Sequence, residues 1–418
     1  MTERTNWRAT LPAPAERRLA VRATGDAIRQ LRGGSPWLYD GSIVSVSGDG
    51  APGDLAVVFD DSRRFVAIGL FDPDSPIRVK VLHTGAPATI DAAWFRHRLA
   101  DAIDRRRSLA DDGTTTAYRL VHGENDGLPG LVVDRYADTL VVKLYTAAWF
   151  PHLATVVDAL VALTSTSRIV LRLGRDAGSR NTTVLADGDT IHGQTPTGPI
   201  RFRERGLVME ADVVHGQKTG HFLDQRDNRA LVRAMAEGKD VLDVFASTGG
   251  FSLAAAAGGA RSVHLVDLSA PALAAARRNL DHNSRLREVR GCAVHTTVGD
   301  AFEVHDQLGR STAAGDRFDI VVLDPPSFAQ NQAGVDRALR AYGRLTKLGV
   351  ALVRPGGMLV QASCSSRVDA DTFAHTVFDA ARRAGKTLHE VRRTGHAIDH
   401  PIGFSQGAYL KAIFARVP

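Results

Sequence analysis

In the second half of the chain, four aspartates and a cysteine sit on successive β-type runs. Asp243 lies within Val241–Phe245 and Asp267 closes Val-His-Leu-Val-Asp. Asp300 follows Ala293–Val298, Asp324 follows Phe318–Leu323, and Cys364 follows Met358–Ser363. Carboxylates at strand ends can accept hydrogen bonds from sugar hydroxyls or from an amino group on a base. A thiol on the same edge can act as a nucleophile once ionised. Pro325-Pro326 prevent helical continuation after Asp324 and stiffen the loop that carries it.

These groups need a scaffold that brings strand ends together. Val241–Phe251 reads as a buried strand, a glycine turn and a helix start. Such a turn lets the backbone of Phe245, Ser247, Thr248 and Gly249 approach a nucleotide-like ligand. Its Asp-x5-Gly-Gly pattern is not Gly-x-Gly-x-x-Gly, so it does not specify a dinucleotide. Strands at 241–245, 262–266, 293–298, 320–323 and 358–362 alternate with helices near 252–258, 270–282, 334–353 and 368–384. That alternation predicts an α/β fold with a doubly wound, mostly parallel sheet, which binds ligands at its C-terminal strand ends.

Each aspartate also has a plainer reading. Asp267, with Leu268 and Ser269, can accept from both hydroxyls of a ribose or can cap the helix opened by Ser269 and Pro271. Asp300 can accept from an adenine amino group, with Ala301 and Phe302 against the ring, or can simply cap a helix. The glycine turn with acidic residues at three successive strand ends resembles the class I S-adenosylmethionine-dependent methyltransferases. That resemblance gives Gly216–Arg229 a role. Asp224 can cap a helix over Gln225–Ala236, while Lys218, Gln225, Arg226 and Arg229 offer donors near the cofactor's methionine carboxylate. Phe222 is an aromatic that can pack on the ligand. A solvated helix face is the alternative for these charges.

Cys364 shares an edge with Asp324 and is read as a nucleophile, whereas Cys292 is read as structural. A thiol suits methylation at pyrimidine carbon 5. Thiolate addition to carbon 6 makes carbon 5 enamine-like, and Asp324 is placed to assist at ring nitrogen 3. A base must then remove the carbon-5 proton, and water or His400 are the candidates.

The whole chain sets wider bounds. Its 418 residues suffice for two or three domains, and 44% apolar residues suffice for a sizeable core. No run approaches the roughly 18 apolar residues of a membrane span, and the N-terminus lacks the apolar stretch of a secretory signal. Two cysteines make no disulfide framework, and a cytoplasmic location is expected. No metal site is expected. The net charge of +6 permits an anionic partner such as nucleic acid.

Residues 1–15 read as a loose tail. Runs at Ser42–Val46, Leu55–Phe59, Phe65–Phe71 and Ile77–Leu82, split by turn signals, predict a small β-barrel. Beyond it, Trp94–Ala110 reads as a helix with Phe95, Leu99 and Ile103 at spacing four and Arg105-Arg106-Arg107 on its other faces. A hairpin over Leu131–Tyr136 and Thr139–Tyr145, a helix at Leu153–Leu163 and a strand at Arg168–Leu173 make a small α+β unit.

Together these motifs resemble the bacterial 23S ribosomal RNA cytosine-C5 methyltransferases that carry a PUA domain. The carriers are Gln217–Asn228, Asp243–Phe251, Leu323–Phe328, Ser363–Ser365, His122–Tyr136, Trp37 and Gly69–Arg78. The resemblance implies a PUA-like RNA-binding barrel at 16–88, a central α+β domain at 89–203 and a Rossmann-like catalytic domain at 204–418. Its last strand, Gly407–Ala415, would run antiparallel. S-adenosyl-L-methionine would be the cofactor and large-subunit rRNA the partner, with no membrane association; a homodimer is compatible. Cys364 and Asp324 would be catalytic, and Pro325, Pro326 and Phe328 would face the target base. Position 327 is serine, so the second thiol of two-cysteine RNA cytosine methyltransferases is missing. Competing readings are a guanine-N7 enzyme of the same layout, a non-catalytic RNA-binding assembly factor and a small-molecule methyltransferase.

Overall fold

The computed structural model describes residues 6–304, 317–329 and 332–418. The chain forms two compact units. The first holds Met1–Arg203, Ala211–His221 and Ile398–Phe404; the second holds Glu204–Glu210, Phe222–Ala397 and Ser405–Pro418.

The first unit contains two sheets. One has six strands in the spatial order Trp37–Tyr39, Ile77–Thr84, Phe65–Phe71, Leu55–Phe59, Leu19–Ala23 and Ile43–Val46. The turn-bounded β-branched runs of the sequence account for Ile43–Val46, Leu55–Phe59, Phe65–Phe71 and Ile77–Thr84. Leu19–Ala23 and the short Trp37–Tyr39 carried weaker signals. A helix over Gly25–Arg32, capped by Thr24, buries Ala27, Ile28 and Leu31 at helical spacing against this sheet's core. The other sheet orders Thr190–His192, Arg168–Leu173, Thr139–Leu144, Leu131–Tyr136 and Ala117–His122. The helices Ala92–Asp104 and Leu153–Leu163 pack with it around Phe95 and the fully buried Trp149.

Two expectations fail in this unit. The helix expected over Trp94–Ala110 breaks into Ala92–Asp104 and Arg107–Asp111. Arg106, placed off the helix's apolar stripe, is 1% exposed and reaches both oxygens of Asp126 at 2.8 Å. It also donates to the carbonyls of Ala102, Arg119 and Asp399. A buried guanidinium needs this many acceptors, and the chain turns there to supply them. The loose tail is also tied down in part: Trp7–Thr10 forms a 3-10 turn, and the Trp7 indole donates to the Ile191 carbonyl at 3.2 Å.

The second unit is built on one seven-stranded sheet. Its strands are β1 (Asp240–Val244), β2 (Ser262–Asp267), β3 (Ala293–Val298), β4 (Phe318–Leu323), β5 (Val353–Ser363), β6 (His389–Thr394) and β7 (Lys411–Arg416), in the order β3-β2-β1-β4-β5-β7-β6. The first five run parallel; β7 is antiparallel to both β5 and β6. Val241, Leu242, Val244, Val321 and Leu323 are buried because a parallel sheet is covered on both faces. The helix Ala270–His282 has the bounds its sequence predicts, with Ser269 accepting from the Ala272 amide and Pro271 in the first turn. The expected antiparallel last strand is present at Lys411–Arg416, starting four residues later and ending one later than expected. β6 was not anticipated: His-Glu-Val-Arg-Arg-Thr is an exposed, charged edge with no apolar alternation.

Candidate active site

The site grows from the turn after β1. Phe245, Ser247 and Gly249 take φ values of +64°, +49° and +75° within five residues. Two of these are ordinary L-residues, each at a cost of about 1–2 kcal/mol. The turn is held by the Ser247 amide on Asp267 Oδ2 at 2.8 Å and by Asn279 Nδ2 on the Thr248 carbonyl at 2.9 Å. Gly249 is required by space as well as by φ, since a Cβ there would lie 2.6 Å from the Ala276 Cβ. The turn thus lies tightly on the helix Ala270–His282, and the helix Gly250–Ala257 starts directly after it.

Asp243, under this turn, is 1% exposed. Its Oδ2 accepts from the Ser252 amide at 3.0 Å and hydroxyl at 2.7 Å. Its Oδ1 is buried with no hydrogen-bond partner among the described residues. Burial, with Asp324 and Asp267 nearby, pushes its carboxyl up to about 7. A buried, half-satisfied carboxylate suits a cationic group, and S-adenosylmethionine carries an ammonium. The free protein should show the corresponding linkage. Because the folded pKa lies above the ordinary 3.8, the native state binds this proton more tightly than the unfolded chain. The contribution to stability is full below about pH 4 and is lost as pH rises to about 7. Asp243→Asn should flatten that decline. Denaturant melts from pH 4.5 to 8 check it, and parallel curves for variant and parent would refute it.

Asp267 ends β2 and accepts one backbone amide on each oxygen, Ser247 on Oδ2 and Ser269 on Oδ1, both at 2.8 Å. Each oxygen retains a lone pair for a further donor. The side chain capping the next helix is Ser269, not Asp267. Leu268 beside them is 73% exposed. Asp300 Oδ1 accepts from the amides of Phe302 at 2.9 Å and Glu303 at 3.3 Å, the arrangement of a cap. Ala301 is buried, and the Phe302 ring lies 4.4 Å under the Arg344 guanidinium.

Four expectations about the Gly216–Arg229 stretch change. Arg229 is 3% exposed, with Nε and Nη2 on Glu204 at 2.7 and 2.5 Å and Nη1 on the Phe222 carbonyl at 2.9 Å. Its fork is therefore engaged by the protein, and its stem lies where a Gly250 Cβ would be 2.9 Å away. It supports the turn from beneath. Gln225, expected near a cofactor carboxylate, donates from Nε2 to Asp324 Oδ1 at 2.8 Å. Asp224 does not cap the helix, which runs Arg226–Met235 without a side-chain cap; it is buried and accepts from the Tyr409 hydroxyl at 3.0 Å. Lys218 belongs to the first unit, where its carbonyl accepts from Lys143. His400 also belongs to that unit and is buried edge-on to His122.

Asp324 is half-buried at the end of β4. Gln225, which bonds it, accepts from Asn228 Nδ2 at 2.6 Å, and Asn228 accepts from Thr394 at 2.6 Å. This relay fixes the carboxylate's orientation. Cys364 is half-buried at the end of β5, its Sγ 3.9 Å from the Pro325 carbonyl. The adjacent Ser363 donates to the Tyr342 hydroxyl at 2.8 Å, and Ser365 donates to the Ala329 carbonyl at 3.2 Å. The Phe328 ring packs 5.1 Å from that of Tyr342. Pro325 is buried, while Pro326 is exposed. Cys292 is buried and pushed up to about 11 by that burial, the environment of an inert thiol. Asn228 and Ser363 lie in the motifs quoted above without an assigned role, and Tyr342 carries no motif, reading from sequence as one more position of the helix near 334–353.

A parallel sheet ordered 3-2-1-4-5-7-6, with a left-handed turn after the first strand and an acid ending the second, defines a class I methyltransferase. Residues 119–416 match the S-adenosylmethionine-dependent methyltransferase family and residues 21–84 match the PUA-like domain. The chain belongs to the S-adenosylmethionine-dependent methyltransferase family, and S-adenosylmethionine is its cofactor. It is 46% identical over 412 residues to a Deinococcus radiodurans protein named ribosomal RNA large subunit methyltransferase, covering 97% of this chain and 99% of that one. It is 37% identical over 384 residues to the Shewanella amazonensis ribosomal RNA large subunit methyltransferase I, covering 91% and 95%. A solved structure described as a candidate methyltransferase with S-adenosylhomocysteine superposes with a TM-score of 0.80 over 96% of this chain and 100% of that one; at 22% identity it shows the shared fold.

Proposed function

We propose that this protein methylates carbon 5 of a cytosine in large-subunit ribosomal RNA, through a covalent adduct of Cys364. The observation that carries the reading is the Cys364 thiol beside the Pro325 carbonyl, on the loop that begins with Asp324. The names of relatives that align over nearly the whole chain support the rRNA substrate. In this reading residues 16–88 and 89–203 engage RNA and 204–418 carry the chemistry, in the cytoplasm. Among the described residues no helix is long and apolar enough to cross a membrane.

The cofactor would lie over Phe245–Gly249, with Asp267, Leu268 and Ser269 at its ribose and Asp300, Ala301 and Phe302 at its adenine. Asp243 would face its ammonium, and Phe222 would close the pocket. When bound, S-adenosylmethionine supplies an electrophilic methyl group. Cys364 adds as thiolate to carbon 6 of the cytosine, and the electron pair displaced from the ring double bond makes carbon 5 nucleophilic. Asp324, held by Gln225, acts as the carboxylic acid: it donates its proton to ring nitrogen 3 as negative charge develops there, and takes it back when the ring double bond reforms. After carbon 5 is methylated its proton leaves to water, the double bond reforms and sulfur departs with its electron pair. Ser327, which donates to the Ala329 carbonyl, offers no second thiol for this step. Pro325, Pro326 and Phe328 would line the face of an unstacked base.

Mass spectrometry of rRNA nucleosides from a strain lacking this protein tests the assignment. Loss of one 5-methylcytidine is expected. Loss of 7-methylguanosine with 5-methylcytidine intact would replace the reading with guanine-N7 transfer.

A further inference from the structure

Lys411 is a buried charge that the mechanism above leaves unused. It opens β7 and pairs with Ser363 across the antiparallel ladder, so its backbone stands beside the residue that precedes Cys364. It is 5% exposed. Its ammonium donates to the carbonyls of Ser365 and Val368, on the segment just after Cys364, and to the Tyr409 carbonyl at 3.0 Å. Three N–H donors thus meet three carbonyl oxygens, and among the described residues no carboxylate forms an ion pair with it. Carbonyl dipoles satisfy the donors but leave the net charge uncompensated. A buried cation without a counter-ion is expensive, and its field extends to whatever ionisable group lies nearest.

We propose that Lys411 is a positioning residue whose uncompensated charge, fixed behind Cys364 by three carbonyls, favours release of the thiol proton to solvent and so maintains the attacking thiolate. The inference rests on the reading of Cys364 as the nucleophile. Other titratable groups around this strand end act differently. Asp324, on the loop after β4, opposes ionisation. The Tyr342 phenol, from the helix Val335–Leu352, is pushed up to about 12 by its burial and stays neutral. Asp369, which caps the helix Ala370–Arg383, has both oxygens on Thr372. Lys411 is a cation held at this strand end by the protein's own carbonyls. Burial lowers it to about 8, with Cys364 and then Asp369 acting to raise it, so it is charged at neutral pH and loses its charge as pH rises through that value.

The thiol itself reports on this without any turnover. In full-length protein carrying Cys292→Ser, iodoacetamide labels Cys364 alone, and intact mass gives its rate against pH. The expected midpoint lies at least about one unit below the ~8.5 of a free thiol. Lys411→Gln retains two N–H donors for the carbonyl cage but no charge. It should raise the midpoint by about one unit or more, making labelling about tenfold slower at pH 6.5. A parent midpoint at or above ~8.5 overturns the inference whether or not the variant folds. An unchanged midpoint in a Lys411→Gln protein with a native melting transition overturns it as well. Failure of the covalent reading is a separate result, seen as methyl transfer retained by Cys364→Ala, and leaves the thiol titration unaffected.

Discussion

Replacing Cys364 with alanine is expected to lower methyl transfer by at least about a thousandfold while leaving S-adenosylmethionine affinity within about twofold. Without the thiolate, carbon 5 of a pyrimidine has no enamine character, and no residual binding energy replaces that change in electronic structure. The cofactor should not sense the substitution. Its proposed contacts lie on the turn Phe245–Gly249 and on Asp267, while Cys364 lies at the end of β5, two strands from the turn and three from Asp267. Folding should also survive. Ser363 and Ser365 retain their bonds to Tyr342 and Ala329, and a half-buried thiol is exchanged for a methyl group. Single-turnover assays on rRNA, paired with calorimetric titration of the cofactor, measure both quantities. Normal turnover by Cys364→Ala would eliminate the covalent mechanism.

The second large effect is expected on cofactor binding. Asp267→Ala should weaken S-adenosylmethionine binding by about tenfold or more, because hydrogen bonds to an ionised group contribute about 1.5–3 kcal/mol. Two losses combine. The ribose hydroxyls lose their acceptor, and the Ser247 and Ser269 amides lose theirs. Ser247 holds φ +49° partly through that bond, so the turn should loosen as well. Asp267→Asn keeps one acceptor oxygen and should fall between alanine and parent. Calorimetric titration of the three proteins reads this order directly, and unchanged affinity in the alanine variant would remove Asp267 from the cofactor site.

Much of the catalytic unit was legible from local pattern. Buried parallel strands read as continuous apolar runs, and Gly249-Gly250 marked the turn after the first of them. Strand ends then located Asp243, Asp267, Asp300, Asp324 and Cys364. The unread elements lacked such patterns. β6 is polar on an exposed edge, and Trp37–Tyr39 is three residues long.

What sequence alone determined, then, was the alternation of elements, the sheet they must form and the edge to which the acids and the thiol are delivered. Periodicity is a property of neighbouring residues, so it survives without the fold. The tertiary structure alone decided how the charges were used. Arg229 looked like a ligand donor until Glu204 took its fork, and Gln225 proved to orient Asp324 from 99 positions away. Arg106 read only as lying off an apolar stripe until Asp126 drew it inside, and Lys411 had no visible role until three carbonyls enclosed it. A charged side chain's partner is set by distance in space, and burial makes that partner obligatory. Neither can be read from spacing along the chain.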